Sequence, residues 1–474
     1  MNPPPPESAP QLAELQDVFA AQRAAFRRQP NPPAREREAH LDAVGRLLVD
    51  NAGAIAEAIN ADFGHRSAYE TRLLEVFPSL QTAKHARAHV ARWMRPEPKG
   101  ASIWFWPGRA RIVKQPLGVV GVIVPWNYPL YLAIGPLVSA LAAGNRVVIK
   151  PSELTPRFGA LLARLVAQSF APDHVAVVNG GIEVAQAFTR LPFDHLLFTG
   201  STTVGRAVMD AAAANLTPVT LELGGKSPAI VASGFPLATA AQRILAGKCY
   251  NAGQTCIAPD YVLVPEGSEE GFVAAARDAV GRLYPAGPAS ADFTAIITAR
   301  HYQRLVDCVH DARLKGARIV ELGGGGSESA RKFAPTLVLG VDESMRIMQE
   351  EIFGPILPVK TYRTIDEALG YVADHPRPLA LYLFDYDAAR IERVLGESIS
   401  GGVTINDTLF HIAQDELPFG GVGPSGMGHY HGEAGFSTFS KRKGVFLQSR
   451  FNATGLLYPP FGKTIERLFK LMLR

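Results

Sequence analysis

The chain runs to 474 residues, enough for about three domains, and its 47% hydrophobic and 19% charged content excludes a disordered polypeptide. Lys plus Arg number 48 against 44 Asp plus Glu, and a net charge of +4 over this length is too small an excess to mark a nucleic-acid surface. Three cysteines, Cys249, Cys256 and Cys308, exclude a disulfide framework, leave at least one thiol free and suit a reducing, cytoplasmic compartment.

The opening MNPPPPESAP lacks a basic-then-apolar signal pattern and reads as a polar tail. Residues 11–62 and 67–95 are rich in Ala, Leu, Arg and Glu at helical spacing and predict helices packed on another layer. The aromatic and β-branched segment IWFWPGRARIVKQP, ending at Pro116, has no helical period and predicts an extended hairpin leaving the main body. Between Gly118 and Gly225 the apolar runs VVGVIV, RVVIK, HVAVVNG, HLLFTG and VTLELGG alternate with helix-length segments. That alternation predicts a parallel sheet covered on both faces, with ligands beyond the carboxyl ends of its strands. The uncharged stretch from Asn127 to Asn145 is interrupted by Pro129, Gly135, Pro136 and Gly144. A bilayer span needs about 20 mostly apolar residues, so this stretch reads as a buried helix between two strands.

From Ser227 to about Asn406 a second series follows, YVLVP, ARIVEL, PILPVKTY, LALYLFD and GGVTI, and predicts a second α/β unit. The GGGG run at 323–326 is expected to be a surface turn. At the end, KTIERLFKLMLR sets Ile465, Leu468, Phe469 and Met472 on one helical face. Too short to cross a bilayer, that helix is expected to pack on its own body or on a partner subunit rather than insert.

The chemistry-bearing residues fall at the ends of these runs. In FTGSTTVGR a strand runs into Gly200 and a helix start holding Gly205 follows, an arrangement that admits a phosphate, although a plain strand–turn–helix has the same pattern. In VPWNYP, Asn127 is either an amide donor to a developing oxyanion or a turn former before Pro129. Lys150 and Glu153 in IKPSE would hold ribose hydroxyls or lie in a solvated loop. Glu222 in LELGGKSP is a carboxylate in an apolar neighbourhood, which resists ionisation and suits a general base. Cys256 in NAGQTCIAPD sits among small and polar residues, as an accessible nucleophile does, whereas Cys249 and Cys308 read as core thiols.

Taken in order, PWN, IKPSE, FTGS, LELGGK, GQTC and EEIFGP resemble the aldehyde dehydrogenase superfamily over residues 62–446. The segments NAGQTCIAPDYVL and LPFGGVGPSGMGHYHGEAGFSTFSKRK are most similar to its class 3 branch, which holds fatty and coniferyl aldehyde dehydrogenases. The resemblance implies an α/β fold with a Rossmann-type cofactor domain (1–97 and 117–224), an α/β catalytic domain (225–424), a small β bridging arm (98–116 and 436–449) and a tail helix in 450–474. It implies Cys256 as nucleophile, Glu222 as general base and Asn127 as oxyanion donor. For the cofactor it implies Pro125 and Trp126, Lys150 and Glu153 at the adenosine ribose, Gly200, Ser201, Val204 and Gly205 at the phosphates, and Glu351 with Phe353 at the nicotinamide ribose. NAD is the expected cofactor, with NADP tolerated, and no metal, nucleic acid or membrane insertion is implied. The expected substrate is an aldehyde of the coniferyl type, with long-chain aliphatic aldehydes as the alternative, and the expected assembly is a homodimer. Tyr69, Leu73, Phe77, Phe410 and His411 are candidate pocket walls, and Trp126, Tyr128, Tyr250 and Phe410 candidate flat surfaces for an aromatic substrate. A non-redox thiol esterase or a binding protein on the same fold are the rival readings, which the ribose-binding pattern and the set Cys256, Glu222 and Asn127 weigh against.

Overall fold

A computed structural model describes residues 8–473, apart from the side chain of residue 471, so most of the amino-terminal polar segment lies outside the described residues. Helices α1 (Ala9–Arg28) and α2 (Ala34–Phe63) come first; a short α3 (Ala68–Thr71) then passes through a π turn at 72–76 into α4 (Phe77–Trp93). The hairpin segment forms β1 (Glu97–Lys99) and β2 (Arg109–Pro116), which pair antiparallel.

The first alternating series becomes β3 (Val119–Ile123), α5 (Tyr131–Ala143), β4 (Arg146–Lys150), α6 (Pro156–Ser169), β5 (Val175–Val177), α7 (Ile182–Thr189), β6 (His195–Thr199), α8 (Thr202–Ala213) and β7 (Val219–Glu222). Every residue of α5 is buried, as its uncharged sequence requires, and it ends at Gly144, whose φ of 91° a side-chain-bearing residue would hold only under strain. The second series comprises β8 (Pro228–Val231), α9 (Leu237–Cys249), β9 (Tyr261–Pro265), α10 (Glu269–Leu283), α11 (Ala299–Leu314), β10 (Arg318–Glu321), β11 (Thr336–Leu339), α12 (Arg346–Gln349), β12 (Ile356–Tyr362), α13 (Ile365–Ala373), β13 (Ala380–Phe384), α14 (Ala388–Glu397) and β14 (Gly402–Ile405). The chain closes with β15 (Gly426–Met427), α15 (Gly432–Thr438), β16 (Ser440–Leu447) and α16 (Lys463–Met472).

Three sheets result. The first has the order β15-β7-β6-β3-β4-β5 and is parallel except for β15, which runs antiparallel to β7 with Gly426 opposite Glu222. The expected all-parallel sheet is therefore a mixed one, because the chain returns from the second unit to cover the edge beside Glu222. The second sheet, β10-β11-β12-β9-β8-β13-β14, is parallel apart from β10 against β11. The short strands β8 and β11 were not among the expected runs; PAIV and TLVL are too brief to stand out from neighbouring loops. The third sheet joins β1, β2 and β16, with β16 pairing β2 along its full length from Ser440 opposite Pro116 to Leu447 opposite Arg109.

Strand order reverses beside β3: the chain leaves it toward β4 and β5, then returns to its other side as β6 and β7. A crevice opens at such a point beyond the carboxyl ends of the strands. Residues that precede β9 and β12 of the second sheet face it. Among the described residues no helix is long and apolar enough to cross a membrane. Helix α16 buries Ile465 but leaves Phe469 exposed, as are Phe461 and Leu473 on either side of it.

Candidate active site

The crevice is a cleft of about 260 Å³ built by six stretches of chain. Pro125, Trp126 and Asn127 follow β3, and Thr199 ends β6 with Gly200 and Ser201 just beyond it. Glu222 ends β7, with Gly224 just beyond it, and Cys256 precedes β9. Glu351 and Phe353 precede β12, while His301 and Arg304 reach in from α11.

Both carboxylates are withdrawn from water, Glu222 with no charge beside it and Glu351 with Lys226 and Lys248 nearby. Among the described residues neither oxygen of Glu222 has a hydrogen-bond partner, and burial holds its carboxyl well above the usual carboxylate range. Burial, with Asp260 adding like charge, pushes Glu351 up to about 8, against the pull of the Gly225 backbone N–H, Lys226 and Lys248. Glu351 Oε1 also lacks a partner. Its carboxylate lies against Gly224, where a Cβ would overlap it in this position.

Cys256 is half-buried, and burial, then Glu351 and Glu222, push its thiol up to about 12. Its own backbone N–H and that of Ile257 oppose the shift. The accessible nucleophile expected from its polar neighbours is thus held as a protonated thiol at rest: among the described residues no cation acts on it, and two acidic groups do. Ionisation requires a base, and the two carboxylates in the cleft are the candidates. Cys249 and Cys308 are buried, as expected of core thiols.

The loop that carries Cys256 is held rigidly. Asn251 and Ala252 adopt left-handed backbone, with φ of 51° and 50°. The Gln254 side chain donates to the Asn251 and Ala295 carbonyls (2.9 and 3.1 Å) and accepts from Ile297 N–H at 2.9 Å. Thr255 Oγ1 lies 2.7 Å from the Tyr128 hydroxyl. Asn127 is buried, and its Nδ2 donates to the Gln254 carbonyl at 3.2 Å, leaving one amide hydrogen uncommitted.

Behind Asn127 stands a buried ionic cluster that the sequence did not reveal. Arg66 Nη1 lies 2.9 Å from Glu75 Oε1 and donates to the Asn127 carbonyl at 3.0 Å. Glu75 Oε2 accepts from the backbone of Leu130 and Tyr131 at 2.7 and 3.2 Å, and Glu70 accepts from Asn251 N–H and Thr294 Oγ1. These bonds join the α3–π segment to both active loops. RSAYETRLLEV looks like an ordinary amphipathic stretch, and only its packing makes the charges internal. Arg66→Met is expected to cost roughly 3–5 kcal/mol in urea denaturation, because two buried carboxylates lose their counter-charge. A loss below about 1 kcal/mol would mean that the carboxylates find another partner.

The expected cofactor residues divide into two groups. Trp126 packs edge-on to Phe353 (5.4 Å between ring centroids) and His301 (5.3 Å) at the cleft mouth. Phe353 has φ of 50°, and Arg304 fastens that turn by donating to the carbonyls of Glu351 and Ile352. Lys150, Glu153, Val204 and Gly205 lie outside the lining around Cys256, beyond the carboxyl ends of β4 and β6. Lys150 is buried and donates to the Pro151 carbonyl at 2.9 Å and to Glu153 Oε2 at 3.4 Å, with Glu153 itself exposed. Ser201 caps α8 through Val204 N–H, and Gly205 lets α8 close onto Leu223. A partnerless carboxylate oxygen, the start of α8 and a Lys–Glu pair on one strand-end edge fit a dinucleotide with two riboses.

Of the candidate walls, Tyr69, Leu73, Phe77 and Phe410 are exposed and outside the cleft lining, and His411 is buried against Thr404. His301 and Arg304 line the cleft unforeseen, since nothing in ARHYQRLVDC marks which helix face turns inward.

Residues 8–445 match the model of the aldehyde dehydrogenase family. The chain belongs to that family. It is 55% identical to a Pseudomonas aeruginosa protein named "Probable coniferyl aldehyde dehydrogenase", over 99% of this chain and 98% of that one. The fold matches substrate-bound Staphylococcus aureus AldH with a TM-score of 0.92 at 39% identity, covering 97% and 99% of the two chains. It also matches a Mycobacterium tuberculosis aldehyde dehydrogenase complexed with NAD+, with a TM-score of 0.84 at 32% identity over 93% and 92%. The protein is an NAD(P)-dependent aldehyde dehydrogenase.

Proposed function

We propose that this dehydrogenase oxidises an aromatic aldehyde of the coniferyl type to its carboxylic acid, using NAD in preference to NADP. The observation that carries the chemistry is one cleft holding a thiol, the buried Glu222 carboxylate with neither oxygen partnered among the described residues, the Glu351 carboxylate and an amide with a spare hydrogen. The Cys256 sulfur attacks the aldehyde carbon, and a cleft carboxylate takes the thiol proton. The oxygen of the resulting thiohemiacetal accepts from Asn127 Nδ2 and the Cys256 backbone N–H. The nicotinamide, when bound, supplies the hydride acceptor that leaves a thioester on sulfur. Glu222 then removes a proton from the water that attacks the thioester carbonyl; Cys256 departs and takes back a proton from a cleft carboxyl, and the protons of the water and of the acid formed pass to solvent. Glu351 and Phe353 would hold the nicotinamide ribose, Gly200 to Gly205 with Ser201 and Val204 the phosphates, and Lys150 with Glu153 the adenosine ribose. Pro125 and Trp126 would form the wall between cofactor and β3.

The substrate assignment draws on the named relative and on the flat Trp126 ring in the cleft, since stacking adds about 0.5–1.5 kcal/mol beyond burial. Initial rates over a panel of aldehydes test it: kcat/KM for coniferaldehyde or cinnamaldehyde should exceed that for hexanal. A preference for octanal and longer chains over every aromatic aldehyde would assign the enzyme to fatty aldehydes instead.

Cofactor preference rests on Glu153, whose exposed carboxylate would repel a 2′-phosphate. Glu153→Gln is expected to raise the NADP-to-NAD ratio of kcat/KM; an unchanged ratio removes Glu153 from the ribose site.

A homodimer in a reducing cytoplasm completes the proposal. All three cysteines are free, and the arm and tail present Trp106, Phe446, Phe451 and Phe461 as exposed apolar surface that a partner subunit would cover. Removing residues 460–474 should lower thermal stability or weaken the dimer in sedimentation, while full-length protein does not float with anionic vesicles. Flotation that depends on the tail would mean a lipid surface covers this face.

A further inference from the structure

Helix α4 carries two histidines four residues apart, so both project from one face. The rings of His85 and His89 lie 4.3 Å apart at 33°. His89 Nδ1 is 2.8 Å from the carbonyl oxygen of His85, which can only accept; that nitrogen therefore bears the proton and Nε2 presents a lone pair. A histidine oriented by its second nitrogen on a backbone carbonyl is the usual state of a metal ligand. Trp93 backs both rings, stacked on His89 at 18° and tilted against His85 at 45°, and is itself buried against Phe436. The pair is thus held against a fixed wall.

The third group comes from a distant part of the chain. Glu416 lies in the connection between β14 and β15, and that connection is docked on α4 and α5: Thr82 Oγ1 donates to Asp415 Oδ1 at 2.7 Å, and the Tyr131 hydroxyl donates to the Ile412 carbonyl at 3.3 Å. One ligand atom each from His85, His89 and Glu416 lies within 4.8 Å of the others.

We propose that His85, His89 and Glu416 bind a divalent transition-metal ion of the zinc class, which fastens the connection between β14 and β15 to helix α4. Bonds of about 2.0–2.1 Å in a tetrahedron place ligand atoms about 3.3 Å apart, so the three groups, now within 4.8 Å of one another, draw in through rotation of the exposed Glu416 side chain and of the two part-exposed rings. Two imidazoles and a carboxylate suit zinc, copper or nickel over calcium or magnesium, and the fourth position stays open to water. None of the three residues lines the catalytic cleft, so the ion stands outside the reaction and acts by holding two parts of the chain together.

The test uses full-length protein with Cys256→Ser, so that the cleft thiol does not capture the probe; the other two cysteines are buried. Equilibrium dialysis with Zn²⁺ should find about one equivalent bound with affinity on the order of micromolar, and the bound ion should raise Tm. His85→Ala and His89→Ala should each weaken binding by at least about tenfold and remove the rise in Tm, and Glu416→Gln, an exposed change, should weaken it severalfold. Absence of binding below roughly 100 μM Zn²⁺, or unchanged affinity in any one of the three variants, overturns the site.

Discussion

Cys256→Ser is expected to lower kcat/KM for aldehyde oxidation by on the order of 10⁴ or more, while cofactor affinity in a fluorescence titration stays near that of the parent. The surroundings of Cys256 explain so large an effect. Burial and two acidic neighbours already hold a thiol at about 12, and a serine hydroxyl in the same place would ionise at far higher pH still. Arg304 in the cleft is committed to the Glu351 and Ile352 carbonyls and does not offset that, so the oxygen nucleophile does not form at a useful rate. Serine also fails as a leaving group when the acyl intermediate is hydrolysed. Cys249→Ala, by contrast, removes a buried thiol from the core at the end of α9 and should cost about 1–2 kcal/mol of stability with activity retained. An active Cys256 variant beside an inactive Cys249 variant would place the nucleophile wrongly.

Glu222→Gln should separate the two halves of the reaction. The amide occupies the same volume at the end of β7 but cannot take a proton from water, so deacylation should slow by about 10²–10⁴ while hydride transfer persists. Rapid mixing should then show a burst of about one equivalent of NADH, and mass spectrometry of the quenched protein should show the acyl adduct on Cys256. The pH dependence has a defined sign. Burial raises the Glu222 carboxyl, so the group stays protonated, and idle as a base, until pH passes above the usual carboxylate range. In the parent kcat should therefore climb with pH through that raised value, and the residual activity of Glu222→Gln should lack this limb. Absence of both burst and adduct would assign Glu222 to activating the Cys256 thiol instead, with Glu351 left as the candidate base for water.

The amino-acid sequence by itself determined the two α/β units, the hairpin of the arm and the neighbourhoods of Asn127, Gly200 and Glu222. Each of these sites is written in a few adjacent residues: an apolar run, a glycine or proline near its end, and a chemistry-bearing group at the turn; Cys256 stands out by its small and polar neighbours instead, and Glu351 only through the resemblance of EEIFGP to its family. Such patterns survive inspection of a short window because strand propensity and turn chemistry are local. Tertiary structure alone decided the rest. The antiparallel β15 beside Glu222 pairs residues about 200 positions apart, and the strands β8 and β11 gain their identity from partners on either side. Tyr69, Leu73, Phe77 and Phe410 have the chemistry of pocket walls yet remain exposed, because the side of a helix or loop that turns inward depends on what packs against it. Arg66, Glu70 and Glu75 became an internal frame for Asn127, and Cys256 a protonated thiol. Both outcomes follow from burial and from charges brought near by the fold, and in a low-dielectric interior those two quantities set the energy of every ionised group.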